Sequence, residues 1–141
     1  APLITAIMKA HTHLAYVSPT ALEHAVTAGL NLGDRYFADF TATLQAKRDL
    51  FASGLAAAGF EVLPCDGTYF VIVDIRSVGR DDDNAFCREI AEKAKVAAVP
   101  VSAFYHPSQT DVSRHYARFC FCKKPEVLEE AASRLAAYFG K

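Results

Sequence analysis

The sequence predicts an α/β body of two layers, in which helices pack on a small, mostly antiparallel sheet. Three observations lead there. A long helical pattern runs from Asp34 to Gly59, two apolar runs at Phe60–Pro64 and Tyr69–Ile75 are separated by an Asp-Gly turn, and a second helical stripe closes the chain at Pro125–Phe139. Each sheet face or helix stripe needs another layer to cover it, so helices followed by a ββαββα order give one layer of each kind.

Pro2–His11 carries apolar residues at helical spacing and loses the pattern at His13–Pro19, so a helix is expected to give way to an extended loop. Ser18, Pro19 and Thr20 are start signals for a short helix at Ala21–Ala28, which Gly29 to Gly33 should end. Asp34 is an N-cap candidate for the longest helix. Its apolar residues Phe37, Phe40, Leu44, Phe51 and Leu55 recur at steps that bury one face, and Gly59 supplies the stop.

Phe60–Pro64 and Tyr69–Ile75 then read as antiparallel strands joined through Asp66-Gly67, a dipeptide that hairpin turns prefer. Tyr69 and Phe70 must point to opposite sides of their strand, so one is expected to enter the core. Asp81, Asp82 and Asp83 precede the helical segment Asn84–Ala94 and are expected to cap it, where the dipole and free amides favour negative charge. Val96–Val101 reads as a third strand, the loop Ser102–Asp111 follows, and Tyr116–Lys123 completes the sheet. The last helix has Pro125 in its first turn, acids near its start and a stripe at Leu128, Ala132, Leu135 and Phe139.

Composition bounds the function classes. Fifteen Lys and Arg against sixteen Asp and Glu leave a net charge of −1, and the two signs are interspersed, which gives no electrostatic footprint for a nucleic acid or an anionic membrane. No apolar run approaches the ~20 residues of a membrane span, and Ala1–Ile4 lacks the basic start of a signal peptide, so a cytoplasmic location is expected. Cys65, Cys87, Cys120 and Cys122 occur in apolar surroundings and are expected to be reduced core thiols rather than a disulfide framework. Neither Cys120-x-Cys122 nor His11-x-His13 with His24 completes a metal ligand set at known spacing, so no metal is expected.

The stretch richest in chemistry is Tyr116–Lys123, an apolar strand that presents the guanidinium of Arg118. Such a group cannot shed its proton, and burying it alone is very costly, so it must find an anion. The residues leave two partners open: an aspartate elsewhere in the fold, or the carboxylate of a ligand.

Phe60–Ile75, Val96–Tyr105 and Arg118–Lys123, in this order and spacing, resemble the C-terminal third of class I/II aminotransferases, pyridoxal-phosphate enzymes of fold type I, and within them the kynurenine, glutamine and methionine aminotransferase group. The resemblance covers nearly the whole chain. It implies a tail of the large cofactor domain with a dimer-contact segment at 1–33, a long interdomain helix at 34–59 and a small α/β domain at 60–141.

It further implies that Arg118 grips the substrate α-carboxylate, that Phe70 and Phe104 wall the substrate side-chain pocket, and that Tyr16 reaches the neighbouring active site of a homodimer. Amino acids and 2-oxo acids would be the substrates, with pyridoxal 5'-phosphate as cofactor of the complete enzyme. The lysine that binds this cofactor lies upstream in the family; Lys9 matches a later helix and has no phosphate cup around it, so no catalytic residue is expected in this chain, which should be inactive alone. The competing expectation is a free-standing, non-catalytic α/β module that binds carboxylates or a protein.

Overall fold

The computed structural model describes residues 2–15, 17–106, 108–109 and 111–140. Among the described residues five α-helices and four strands follow one another as α1 (Pro2–Leu14), α2 (Thr20–Leu30), α3 (Asp34–Ala57), β1 (Glu61–Val62), β2 (Phe70–Asp74), α4 (Asp83–Glu89), β3 (Val99–Pro100), β4 (Tyr116–Cys120) and α5 (Pro125–Phe139). The chain divides into two units, 1–39 and 40–141, with α3 running through the division. No described helix is long and apolar enough to cross a membrane.

In the first unit, α1 and α2 contain no buried residue, and Leu3, Ile4, Met8, Leu22 and Val26 are all exposed. Helix α2 ends at Leu30, within the Gly29 to Gly33 stretch expected to end it, with the Asn31 amide donating to the Thr27 carbonyl and the Leu32 amide to that of Gly29. The predicted buried face of α3 is realised only toward its C-terminus. Phe51 and Leu55 are buried, whereas Phe37 and Phe40 lie largely at the surface.

The second unit carries the sheet, whose order is β1-β2-β4-β3 with every pair antiparallel. The strand bearing Arg118 comes last in the sequence and sits inside the sheet, between β2 and β3. Its register sets Arg118 opposite Ile72 on one side and Val99 on the other, and Cys120 opposite Phe70. Only Val99 and Pro100 of the predicted third strand pair, because proline offers no N–H to continue the ladder and the chain then tightens into a 3₁₀ turn over Val101–Phe104. The turn between β1 and β2 also differs from expectation: Thr68, not Gly67, takes the left-handed conformation, with φ 66°.

Side chains alternate across the strands, and one face of the sheet is dry. Val71, Val73, Ala117 and Phe119 on this face join Phe51, Leu55, Phe86, Ile90, Leu128 and Leu135 in a single core. Phe119 meets Phe51 and Phe60 edge-on, with centroids 6.1 and 6.2 Å apart. Helix α5 spans the predicted residues, opening at Pro125 and ending at Gly140 in the left-handed region. It packs closely on α3: a β-carbon at Gly54 would stand 2.6 Å from that of Ala132.

Of the acidic trio, only Asp82 caps α4, its side chain accepting from the Ala85 amide. After α4 the helix loosens into a π turn over Ile90–Ala94, and Lys95 ends it with φ 58°. Arg80 and Tyr138 both donate to Glu89, at 2.7–2.8 and 2.6 Å, and hold its carboxyl down at about 2.

Candidate functional site

The opposite face of the same strands carries Phe70, Ile72, Arg118 and Cys120, all half-buried. It is not closed by a helix in the manner of the core face. Arg118 is brought there by alternation alone, since its neighbours Ala117 and Phe119 are both buried on the core side.

Two aromatic rings flank the guanidinium. Its central carbon lies 4.0 Å from the ring centroid of Phe70 and 4.3 Å from that of Phe104. Contacts of this kind attract a cation by ~0.5–2 kcal/mol, with the larger values where water is excluded. They orient the plane of the group but satisfy none of its N–H donors. The Nε atom of Arg118 is buried and has no hydrogen-bond partner among the described residues.

The internal aspartates that might have paired with it are committed elsewhere. Asp74 is chelated by Arg76, whose guanidinium holds its carboxyl below the usual range. Asp83, fully buried, accepts from the Ser102 amide at 2.8 Å, from the Ser102 hydroxyl at 2.7 Å and from the Asn84 side-chain amide at 3.1 Å. Among the described residues no carboxylate forms an ion pair with Arg118.

Asp83 is the residue that sequence reasoning missed. Read as one of three caps, it instead ties the start of the Val101–Phe104 turn to the first turn of α4, and so fixes the segment from which Phe104 reaches Arg118. The sequence held a hint, because one helix start needs one cap and three acids were offered. Nothing in it paired Asp83 with a serine 19 positions later.

A cavity of about 660 Å³ is lined by Phe70, Arg118 and Cys120 of this face together with Val96–Val99, residues of α5, and Phe51 and Phe119 of the core side. Its size is that of a small-molecule site. Of the predicted site residues, the structure therefore brings together Arg118, Phe70 and Phe104. Tyr16 lies outside the described residues. Tyr69 does not enter the core as one of the pair with Phe70 was expected to; it is 48% exposed and stacks obliquely on Phe70 at 4.4 Å, because its position just before β2 frees it from the strand's alternation.

The cysteines also depart from expectation. Cys87 alone is a core thiol, pushed up to about 12 by burial and by nearby Asp83. Cys65 and Cys120 are half-buried and Cys122, beyond the end of β4, is exposed. His11 and His13 lie exposed in the last turn of α1 and His24 exposed on α2. Among the described residues, no group of three or more His, Cys, Asp or Glu side chains is arranged to hold a metal ion.

The family described as "Aminotransferase class I and II" matches residues 1–135. A probable N-succinyldiaminopimelate aminotransferase of Mycobacterium tuberculosis is 40% identical over 142 residues, covering 96% of this chain and 36% of the relative. Its solved structure superimposes with a TM-score of 0.82 over 96% of this chain and 35% of that one. The methionine aminotransferase of Escherichia coli is 34% identical over 136 residues, 96% of this chain and 34% of the relative. The chain thus spans about a third of the length of the curated relatives it matches.

Proposed function

Because this chain belongs to the class I and II aminotransferase family, we propose that it supplies the substrate-carboxylate site of an enzyme that moves an amino group from an amino acid to a 2-oxo acid. The buried, unpartnered Nε of Arg118 is the observation that carries this reading. A guanidinium takes both oxygens of a carboxylate in parallel, and such charge-assisted pairs are about twice as strong as neutral ones. Phe70 and Phe104 keep the fork in one plane, so an arriving substrate meets a donor set already oriented. The same two rings wall the pocket for its side chain.

Pyridoxal 5'-phosphate supplies the electron sink for such chemistry when bound. The residues described here do not fit that group. Lys9 is exposed on α1, and the lysine and acidic partner that the cofactor needs fall to the part of such an enzyme that this chain does not match. The chain by itself therefore does not transaminate. By family resemblance the complete enzyme is a homodimer in which Tyr16 borders the neighbouring pocket, residues 1–33 complete the cofactor domain and 60–141 form the small domain.

Arg118→Ala in the complete enzyme tests the assignment. Apparent affinity for every amino-acid and 2-oxo-acid substrate should fall by about 2–5 kcal/mol, the range for a broken buried charge pair. An unchanged affinity would remove Arg118 from the site.

A further inference from the structure

We infer that Cys120 and Cys122 form an oxidisable dithiol, a modification site that a hydroperoxide closes to a reversible intrachain disulfide in the wall of the Arg118 cavity. The two sulfur atoms are 3.0 Å apart, about 1 Å beyond the ~2.05 Å of a bond. The local fold holds them there. Between them Phe121 is driven into the core, 1% exposed, with its amide donating to the Tyr69 carbonyl at 3.0 Å. That anchor leaves the flanking cysteines on the other side of the chain, where their thiols meet.

Access divides the labour between them. Cys122 is exposed, so its sulfur is the one a hydroperoxide in solution reaches first. Cys120 is half-buried in the cavity wall, and its thiol is pushed up by desolvation and by the hydrogen bond with Cys122. Cys122 is therefore the attacking sulfur and Cys120 the resolving one. The remaining cysteines lack one condition each: Cys87 is buried, and Cys65 directs its thiol to the carbonyls of Gly67 and Phe70, each at 3.1 Å, with no sulfur among its partners.

The chemistry balances. The Cys122 thiolate attacks the terminal oxygen of the hydroperoxide, the O–O bond breaks, and the departing oxygen takes a proton to leave as an alcohol, or as water from hydrogen peroxide. Cys122 is then a sulfenic acid. The Cys120 sulfur gives up its proton and attacks it, the S–O bond breaks, and water leaves as the S–S bond forms. Two thiols have lost two protons and two electrons, and the peroxide has gained them. A thiol reductant reverses the change.

This inference is independent of the aminotransferase reading, since it needs only the thiols, and its test reads sulfur directly. The full-length protein is treated natively with one equivalent of hydrogen peroxide, its remaining thiols are alkylated, and it is digested with trypsin. Cleavage after Arg118 and Lys123 keeps both sulfurs in one peptide, Phe119–Lys123. That peptide should appear without alkyl groups and lighter by two hydrogens, and should become doubly alkylated after reduction with dithiothreitol and a second alkylation. Cys122→Ser should leave Cys120 alkylated under the same treatment, and Cys120→Ser should leave a sulfenic acid at Cys122 that dimedone captures. A doubly alkylated peptide from protein in which Cys65 has already been oxidised would overturn the proposal, as would loss of the Cys120 thiol in Cys122→Ser.

Discussion

The two faces of one sheet are treated in opposite ways, although they are built from the same strands. On one face Val71, Val73, Ala117 and Phe119 are at most 1% exposed and are closed by helices. On the other, Phe70, Ile72, Arg118 and Cys120 stay half-covered beside a cavity, and the arginine keeps a donor unsatisfied. A buried aspartate nearby, Asp83, has its oxygens met by Ser102 and Asn84. The fold can satisfy buried polar groups and does so a short distance away. The unmet need of Arg118 is thus a local property of the open face, and the proposal that this is the binding side rests on it.

Substitutions can break this contrast. The largest effect belongs to the closed face: Phe119→Ala should cost about 3–5 kcal/mol in urea unfolding, because it removes a ring packed edge-on to two others and leaves a void. A loss below 1 kcal/mol would show that the core face is not the stabilising one.

Asp83→Ala comes next, with a cost of about 1–3 kcal/mol from the Ser102 amide and hydroxyl left without their acceptor. Hydrogen exchange at Ser102 should accelerate, and the Phe104 ring should lose its fixed place over Arg118. Exchange as slow as in the parent would mean that the turn is held by other contacts.

Acid should produce a smaller effect. Glu89 titrates at about 2 in the folded chain against 4.5 when free of its partners, so the unfolded state binds the proton more readily and the stabilisation is complete only above pH 4.5. It is lost as the pH falls from there toward 2. With Arg80 partly exposed the loss should be about 1 kcal/mol, and Glu89→Gln should flatten that limb of the stability curve.

The smallest change is expected at Arg118→Met, anywhere from none to a gain of about 1 kcal/mol, since it removes an unsatisfied donor while keeping length and apolar contact with Phe70 and Phe104. A loss larger than that of Asp83→Ala would make Arg118 a structural residue and erase the distinction between the faces.

What the sequence revealed followed from local rules. Helix α5 was legible because Pro125 and the stripe at Leu128, Ala132, Leu135 and Phe139 each act within a turn of their own position. Arg118 was legible because a charge that cannot be neutralised stood on an apolar strand. The pairings were not. Which strand lies beside β4 and that Asp83 reaches Ser102 both depend on how distant segments dock. Val96–Val101 misled for a related reason: its apolar run satisfies strand propensity, but Pro100 and an edge position leave only a short ladder.

The contact between Gly54 and Ala132 has a consequence for anyone reworking this chain. Replacing a mid-helix glycine by alanine is a standard thermostabilising substitution, with an expected gain of about 1 kcal/mol in helix propensity. Here the added methyl would drive α3 from α5, and overpacking of that kind costs about 1–3 kcal/mol. A recipe that consults propensity tables alone would choose the wrong sign at this position, and libraries built on the family scaffold should hold residue 54 fixed.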